Sequence, residues 1–154
     1  MSGLVQISEA ASIGIHACLW LAAQQPRLCR SPELCRQFGF STAHFAKVMQ
    51  NLARAGIVES VRGPKGGARL ARDPAAITLL EVYEALEGAL DGSRCLLSPR
   101  VCPSRCCPLG REIARLNRGL RATLAKATLS SLSAATDWSG FTKKNANTPK
   151  GERR

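Results

Sequence analysis

An ordered run in the first half of the chain constrains the fold most: two helices joined by a short turn, then a hairpin with a glycine-rich, cationic tip. Ahead of this run, from Ser8 to Gln24, the apolar residues Ile13, Ala17, Leu19, Trp20, Leu21 and Ala23 predict a largely buried helix that Pro26 ends. Ser31 as N-cap, with Pro32 at the first helical position and Glu33 behind it, predicts a short helix stopping at Phe38 before Gly39. After the Gly39-Phe40 turn, Ser41 is placed to cap a third helix. Its apolar positions Phe45, Val48, Met49 and Leu52 recur at helical steps until Gly56. These two helices form a helix-turn-helix candidate. Residues 57 to 61 predict a strand and Ala68-Arg69-Leu70 its partner, with Arg62-Gly63-Pro64-Lys65-Gly66-Gly67 between them. Such a tip suits a DNA-binding wing, because glycines let backbone enter a narrow groove and Arg and Lys meet its negative potential.

This pattern fixes the expected DNA contacts. Ser41, Thr42, Ala43, His44, Ala46 and Lys47 fall on the first turns of the third helix, where a recognition helix presents side chains to the major groove. His44 and Lys47 are equally suited to phosphate, which positions a protein and reads no sequence. Arg62 and Lys65 are the expected wing contacts.

Composition agrees. A chain of 154 residues supports one core plus an appended helix and tail. Hydrophobic residues make up 45% but aromatics only 5%, which favours packed helices over a sandwich. The expected fold class is mainly α with a small β-hairpin wing: a winged helix-turn-helix plus a long C-terminal dimerisation helix. The formal charge of +11 calls for a polyanionic partner, here double-stranded DNA. Five cations against Glu152 in residues 143–154 carry a net +4, so residues 1–142 still hold +7.

In the second half, Thr78 with Glu81 reads as a capping box for a fourth helix from Leu79 to about Glu87, with Val82, Leu86 and Leu79 or Tyr83 inward. Residues 89–108 read as a loop holding Cys95, Cys102, Cys106 and Cys107. Beyond it, Leu109, Ile113, Leu116, Leu120, Leu124 and Ala127 draw one narrow apolar stripe along a long helix, and such a stripe needs a partner helix. The expected organisation is a DNA-binding domain over 1–88, a cysteine-rich loop over 89–108, a dimerisation helix over 109–136 and a disordered basic tail over 137–154. No segment approaches a membrane span and no signal peptide is recognisable, so a cytoplasmic location is expected. There, clustered cysteines point to metal or redox chemistry before structural disulfides. Cys18 reads as a small core residue, and Cys29 and Cys35, flanking the start of the second helix, are expected to be partly exposed.

The wing sequence 61–67, then Leu70, then Ile77-Thr78-Leu79-Leu80-Glu81-Val82, a three-cysteine loop and a long helix resemble the IscR, NsrR and RirA family of winged-helix regulators over roughly residues 7 to 135. The resemblance implies a homodimeric repressor or activator that crosses its long C-terminal helices. It also implies an iron-sulfur cluster, [2Fe-2S] or [4Fe-4S], held by Cys95, Cys102 and Cys107. Cys106 departs from the family pattern and is an additional possible ligand. For a fourth ligand, Glu9, His16 and Cys106 stand as candidates.

A loop of three or four thiolates also suits tetrahedral zinc, and a metal-free disulfide switch remains an alternative. The remoter alternative is an enzyme with a cysteine nucleophile and His16 or His44 as base. Both histidines have places on helices, and no Ser-His-Asp or paired-carboxylate constellation occurs, so no catalytic residue is expected.

Overall fold

Helix α1 (Glu9–Gln24) is packed by three other helices, and its sequence explains why. Ala11, Ile13, Gly14, Ala17, Cys18, Trp20 and Leu21 are all buried, too broad a set for one apolar stripe. Ser8 starts the helix, its hydroxyl oxygen accepting from the Ala11 N–H at 3.1 Å. In a computed structural model, residues 7–61, 63, 66–90 and 107–139 are described.

Helix α2 (Ser31–Phe38) begins one residue earlier than its sequence suggests: Arg30 holds the N-cap position without a side-chain cap bond, and Ser31 is already helical. Gly39 ends it at φ 72°, a left-handed conformation that costs glycine nothing, and its N–H reaches the Cys35 carbonyl. Helix α3 (Thr42–Arg54) follows and buries Phe45, Val48, Met49 and Leu52, the four residues that its period picked out. Strands β1 (Val58–Val61) and β2 (Gly67–Leu70) pair antiparallel, with Val58 opposite Leu70 and Val61 opposite Gly67.

Helix α4 (Leu79–Glu87) starts with the expected capping box, in which Thr78 and Glu81 satisfy one another's backbone N–H groups. Its buried residues are Leu80 and Val82, whereas Leu79, Tyr83 and Leu86 are half-buried. The inward set differs from the expected one because α4 is packed by α1, α3 and α5 together, so no single stripe defines its inside. Helix α5 (Pro108–Lys126) ends before Ala127, and a separate short helix α6 (Leu129–Ala135) follows. The break has a tertiary cause. Leu79 N–H donates to the Ala127 carbonyl at 2.8 Å and Leu129 N–H to the Ile77 carbonyl at 2.9 Å, a two-bond bridge between the approaches to α4 and α6.

The core joins these parts through Ile13, Leu21, Leu34, Phe45, Leu52, Ile57, Ile77 and Leu129, each at most 1% exposed. Full burial of such side chains stabilises by about 1.5–3 kcal/mol apiece before entropy is counted. Aromatic rings tie the chain's ends together: Trp138 meets Trp20 edge-on at 5.3 Å, and Phe38, Phe40 and Phe45 stack in sequence around the turn between α2 and α3. Trp138 Nε1 donates to the Ser133 carbonyl at 3.1 Å, which holds this ring beside α6. Among the described residues no helix is long and apolar enough to cross a membrane.

Candidate nucleic-acid interface

One side of α3 is committed to the core, and that commitment orients the other. Ser41, Thr42, Ala43, Ala46, Lys47 and Gln50 are exposed, and His44 is half-buried. Ser41 occupies the N-cap position but makes no cap hydrogen bond to the helix. The helix holds no acidic residue, so nothing on it repels a phosphate backbone. Gln50 and Arg54 continue the exposed face, with Arg54 Nη1 donating to Asn51 Oδ1 at 3.2 Å. Neither belongs to the first turns of α3, but the helical period that places Ala43 and Lys47 on one face extends to both. His44 Nδ1 lies 3.6 Å from Glu9 Oε2, which ties the first turn of α1 to the recognition helix.

The wing is braced from both sides. On its exposed face Arg69 Nε pairs with Glu59 across the strands. At its base Arg72 Nη2 reaches Glu81 Oε1 at 2.8 Å, and Arg72 Nε reaches the Gly56 carbonyl at 3.4 Å. Partial burial pushes the Glu81 carboxyl up, but the Thr78 N–H, the Arg72 guanidinium and the Thr78 hydroxyl outweigh this and hold it below its ordinary value. On the inner edge Cys29 pairs with Ala68: Cys29 N–H donates to the Ala68 carbonyl at 3.0 Å, and Ala68 N–H to the Cys29 carbonyl at 2.8 Å. A Cβ at Gly67 would lie 2.6 Å from the Cys29 carbonyl oxygen, so only glycine allows the approach. At the tip, Gly63 has φ 119° and its carbonyl accepts from the Gly66 N–H at 2.9 Å. Arg62 and Lys65 lie outside the described residues.

The cysteines fall into two groups. Cys18, Cys29 and Cys35 are buried, which corrects the expected partial exposure of Cys29 and Cys35. The strand-like pairing with Ala68 draws Cys29 inside, and packing of α2 on α3 covers Cys35. Burial pushes the Cys18 thiol up to about 12. It raises Cys29 as well, with Glu33 adding to it against Arg27 and Trp20, and raises Cys35 against a hydrogen bond from Thr42. Cys107 is different: it is exposed at the N-cap of α5, and its sulfur accepts from the Gly110 N–H at 3.3 Å. Cys95, Cys102 and Cys106 lie outside the described residues. Of the other ligand candidates, Glu9 faces His44, and His16 Nδ1 lies 2.7 Å from the Ser12 carbonyl oxygen. Among the described residues no three His, Cys, Asp or Glu side chains converge on a metal-sized site.

Residues 7–135 match the family model described as Rrf2, iron-dependent transcriptional regulator. The chain is 32% identical to protein aau3 of Rhizobium meliloti (strain 1021) over 123 residues, covering 80% of this chain and 74% of that protein. It is 34% identical over 95 residues to a protein of Aquifex aeolicus (strain VF5) named as an HTH-type transcriptional regulator, covering 62% of this chain and 66% of that one. Among solved structures it is similar to CymR (YrzC), the global cysteine regulator of B. subtilis, with TM-score 0.72, 26% identity and coverage of 87% of this chain and 100% of that one. T. potens IscR shares the fold at TM-score 0.70 and 21% identity, over 96% of this chain and 95% of that one.

Proposed function

Because the chain belongs to the Rrf2 family of transcriptional regulators, which are not enzymes, we propose how its parts divide the work of a regulator. The reading is a homodimer whose two recognition helices and wings grip the half-sites of a near-palindromic duplex. Cys95, Cys102 and Cys107, with Cys106 beside them, would hold an iron-sulfur cluster whose state would set DNA affinity.

The observation that carries the DNA-binding part is the exposed, acid-free face of α3 beside a braced hairpin wing. Thr42, Ala43, Lys47 and Gln50 meet base edges or phosphates from α3, together with Ser41 at its N-cap and His44, while Arg62 and Lys65 serve the wing. The dimer reading rests on α5. Its small residues Gly110 and Ala114 are buried within the protomer, whereas Leu109 and Leu116 are 56% and 55% exposed. Leu109 and Leu116, left in water beside the half-buried Ile113, Leu120 and Leu124, are covered by crossing the same helix of a second copy.

For the cluster, the reading is supported by Cys107, whose exposed sulfur at the N-cap of α5 accepts from the Gly110 N–H and is open to a ligand. The clustered thiols suit iron-sulfur or zinc, whereas Cys18, Cys29 and Cys35 are buried, which favours their protonated form. When bound, a cluster supplies chemistry that responds to redox state, iron supply or nitric oxide. The chain's own contribution is mechanical. Residues 89–107 lead from α4, which Arg72 and Glu81 tie to the wing, into α5, which carries the leucine stripe. A change in the order of that connection alters how the two DNA-reading halves are set, and about 1–3 kcal/mol of coupling suffices for regulation. The likeness to CymR favours a second reading, in which the same cysteines act as thiols without metal.

Protein purified without oxygen and examined by visible spectroscopy with iron and sulfide assays separates these readings. The expected result is a coloured protein containing iron and sulfide that turns colourless when Cys95, Cys102 and Cys107 are replaced together. A colourless wild type that resists reconstitution, or one holding only zinc, removes the iron-sulfur reading and leaves the DNA-binding reading intact.

A further inference from the structure

The pairing of Cys29 with Ala68 has a consequence at the next residue. It draws Arg30 and the start of α2 up to the wing, and between α2, α3 and the wing it leaves a cleft of about 330 Å³. Arg30, Ser31 and Pro32 line it from α2 and its cap, Met49 from α3, and Ser60 and Val61 from β1, with glycine backbone completing the wing side. The lining is amphipathic. A guanidinium and two hydroxyl side chains stand beside Pro32, Met49 and Val61, and Val61 is left 43% exposed on this rim. The acidic side chains on the flanking elements are already engaged, Glu33 by Arg27 at 3.1 Å and Glu59 by Arg69.

Groove geometry says what crosses this place. Major and minor grooves of a duplex are separated by one sugar-phosphate strand. With α3 in a major groove and the wing at the adjacent minor groove, that strand runs over the surface joining the two elements, and the cleft lies there. Its chemistry matches: phosphate oxygens call for a guanidinium and hydroxyls, and the deoxyribose presents apolar C–H faces. We propose that this cleft seats one sugar-phosphate unit of the DNA strand, with the Arg30 guanidinium and the Ser31 hydroxyl on the phosphate and Pro32 and Val61 against the sugar. The proposal rests on the DNA-binding reading above and adds a contact that neither the recognition helix nor the wing tip supplies. It fixes the register between them and reads no base.

A duplex selected in vitro from a random pool on the wild-type protein, and an unrelated mixed-sequence duplex, provide the test. Affinities of wild type, Arg30→Ala, Arg30→Lys and the control Arg118→Ala are measured by fluorescence anisotropy across a salt series, with thermal unfolding to establish that each variant is folded. Arg118 is exposed on α5, off the leucine stripe and outside the cleft lining, and its replacement removes the same charge. Arg30→Ala is expected to weaken binding to both duplexes by the same factor. It is also expected to make the plot of log affinity against log salt shallower by about 1, with Arg30→Lys restoring most of the slope and Arg118→Ala matching wild type. An unchanged slope and affinity in folded Arg30→Ala, beside a wild type that binds, overturns the cleft assignment alone. A loss confined to the selected duplex also overturns it, because the contact would then read sequence. Failure of the wild type to select or bind any duplex overturns the DNA-binding reading and this inference together.

Discussion

Cys18 and Cys107 carry the same functional group in opposite surroundings, and water decides their chemistry. The Cys18 thiol, at 0% exposure, is pushed up to about 12 from an ordinary 9.0, so the folded state favours its protonated form. Its stabilising contribution is therefore complete below pH 9 and is lost as pH rises from there toward 12, at about 1.4 kcal/mol per pH unit. Urea unfolding of metal-free protein at pH 8 and at pH 10 should show wild type losing stability more steeply than Cys18→Ala; equal losses would assign the alkaline sensitivity elsewhere. Cys29 and Cys35 share the upward direction through burial and should resist alkylation in the native protein while exposed Cys107 reacts. The sequence gives Cys18 away, because apolar neighbours surround it along one helix. It hides the burial of Cys29, which depends on pairing with a residue 39 positions later.

The start of α4 was legible because its cap is a local device, whereas α2 has its N-cap one residue before the expected Ser31 and Ser41 caps α3 without a side-chain bond. The Thr78–Glu81 box lies within four residues and is present as read, with Glu81 N–H donating to Thr78 Oγ1 at 3.2 Å and Thr78 N–H to Glu81 Oε2 at 2.8 Å. Replacing Thr78 by Ala orphans the Glu81 N–H and should lower stability by about 1 kcal/mol, seen as a lower urea midpoint at unchanged slope; an unmoved midpoint would show that water replaces the cap at no cost. Helix ends and short cross-connections were less readable. The stripe from Leu109 runs on through Ala127, yet α5 stops at Lys126 because the Ala127 carbonyl is taken by the Leu79 N–H, a partner in another part of the chain. Similarly, Arg30 looks like an ordinary residue before a helix until the Cys29–Ala68 pairing sets it against the wing. In α3 the apolar period marks the whole buried side, and the exposed side runs past the expected first-turn residues to Gln50 and Arg54.

At the scale of the molecule, the proposed function rests on two surfaces: the acid-free face of α3 that bears Lys47 and Arg54, and the side of α5 that exposes Leu109 and Leu116. The stripe is testable without DNA. Leu116→Glu places a charge at a residue 55% exposed in one copy, so the protomer tolerates it while a crossed-helix dimer does not. Light scattering should report a dimer for wild type and a folded monomer for the variant; a variant that stays dimeric would move the dimer interface off α5. Residues 89–107 link α4 to α5 along the chain, and the proposed function gives the cysteines there control of DNA affinity. That claim is tested most directly by titrating one selected duplex, without oxygen, with wild-type protein and with the Cys95, Cys102, Cys107 triple replacement. Wild type is expected to bind the duplex, and the two affinities to differ by about 5- to 150-fold. Superimposable isotherms would contradict it, leaving a DNA-binding protein whose clustered cysteines govern nothing at the operator.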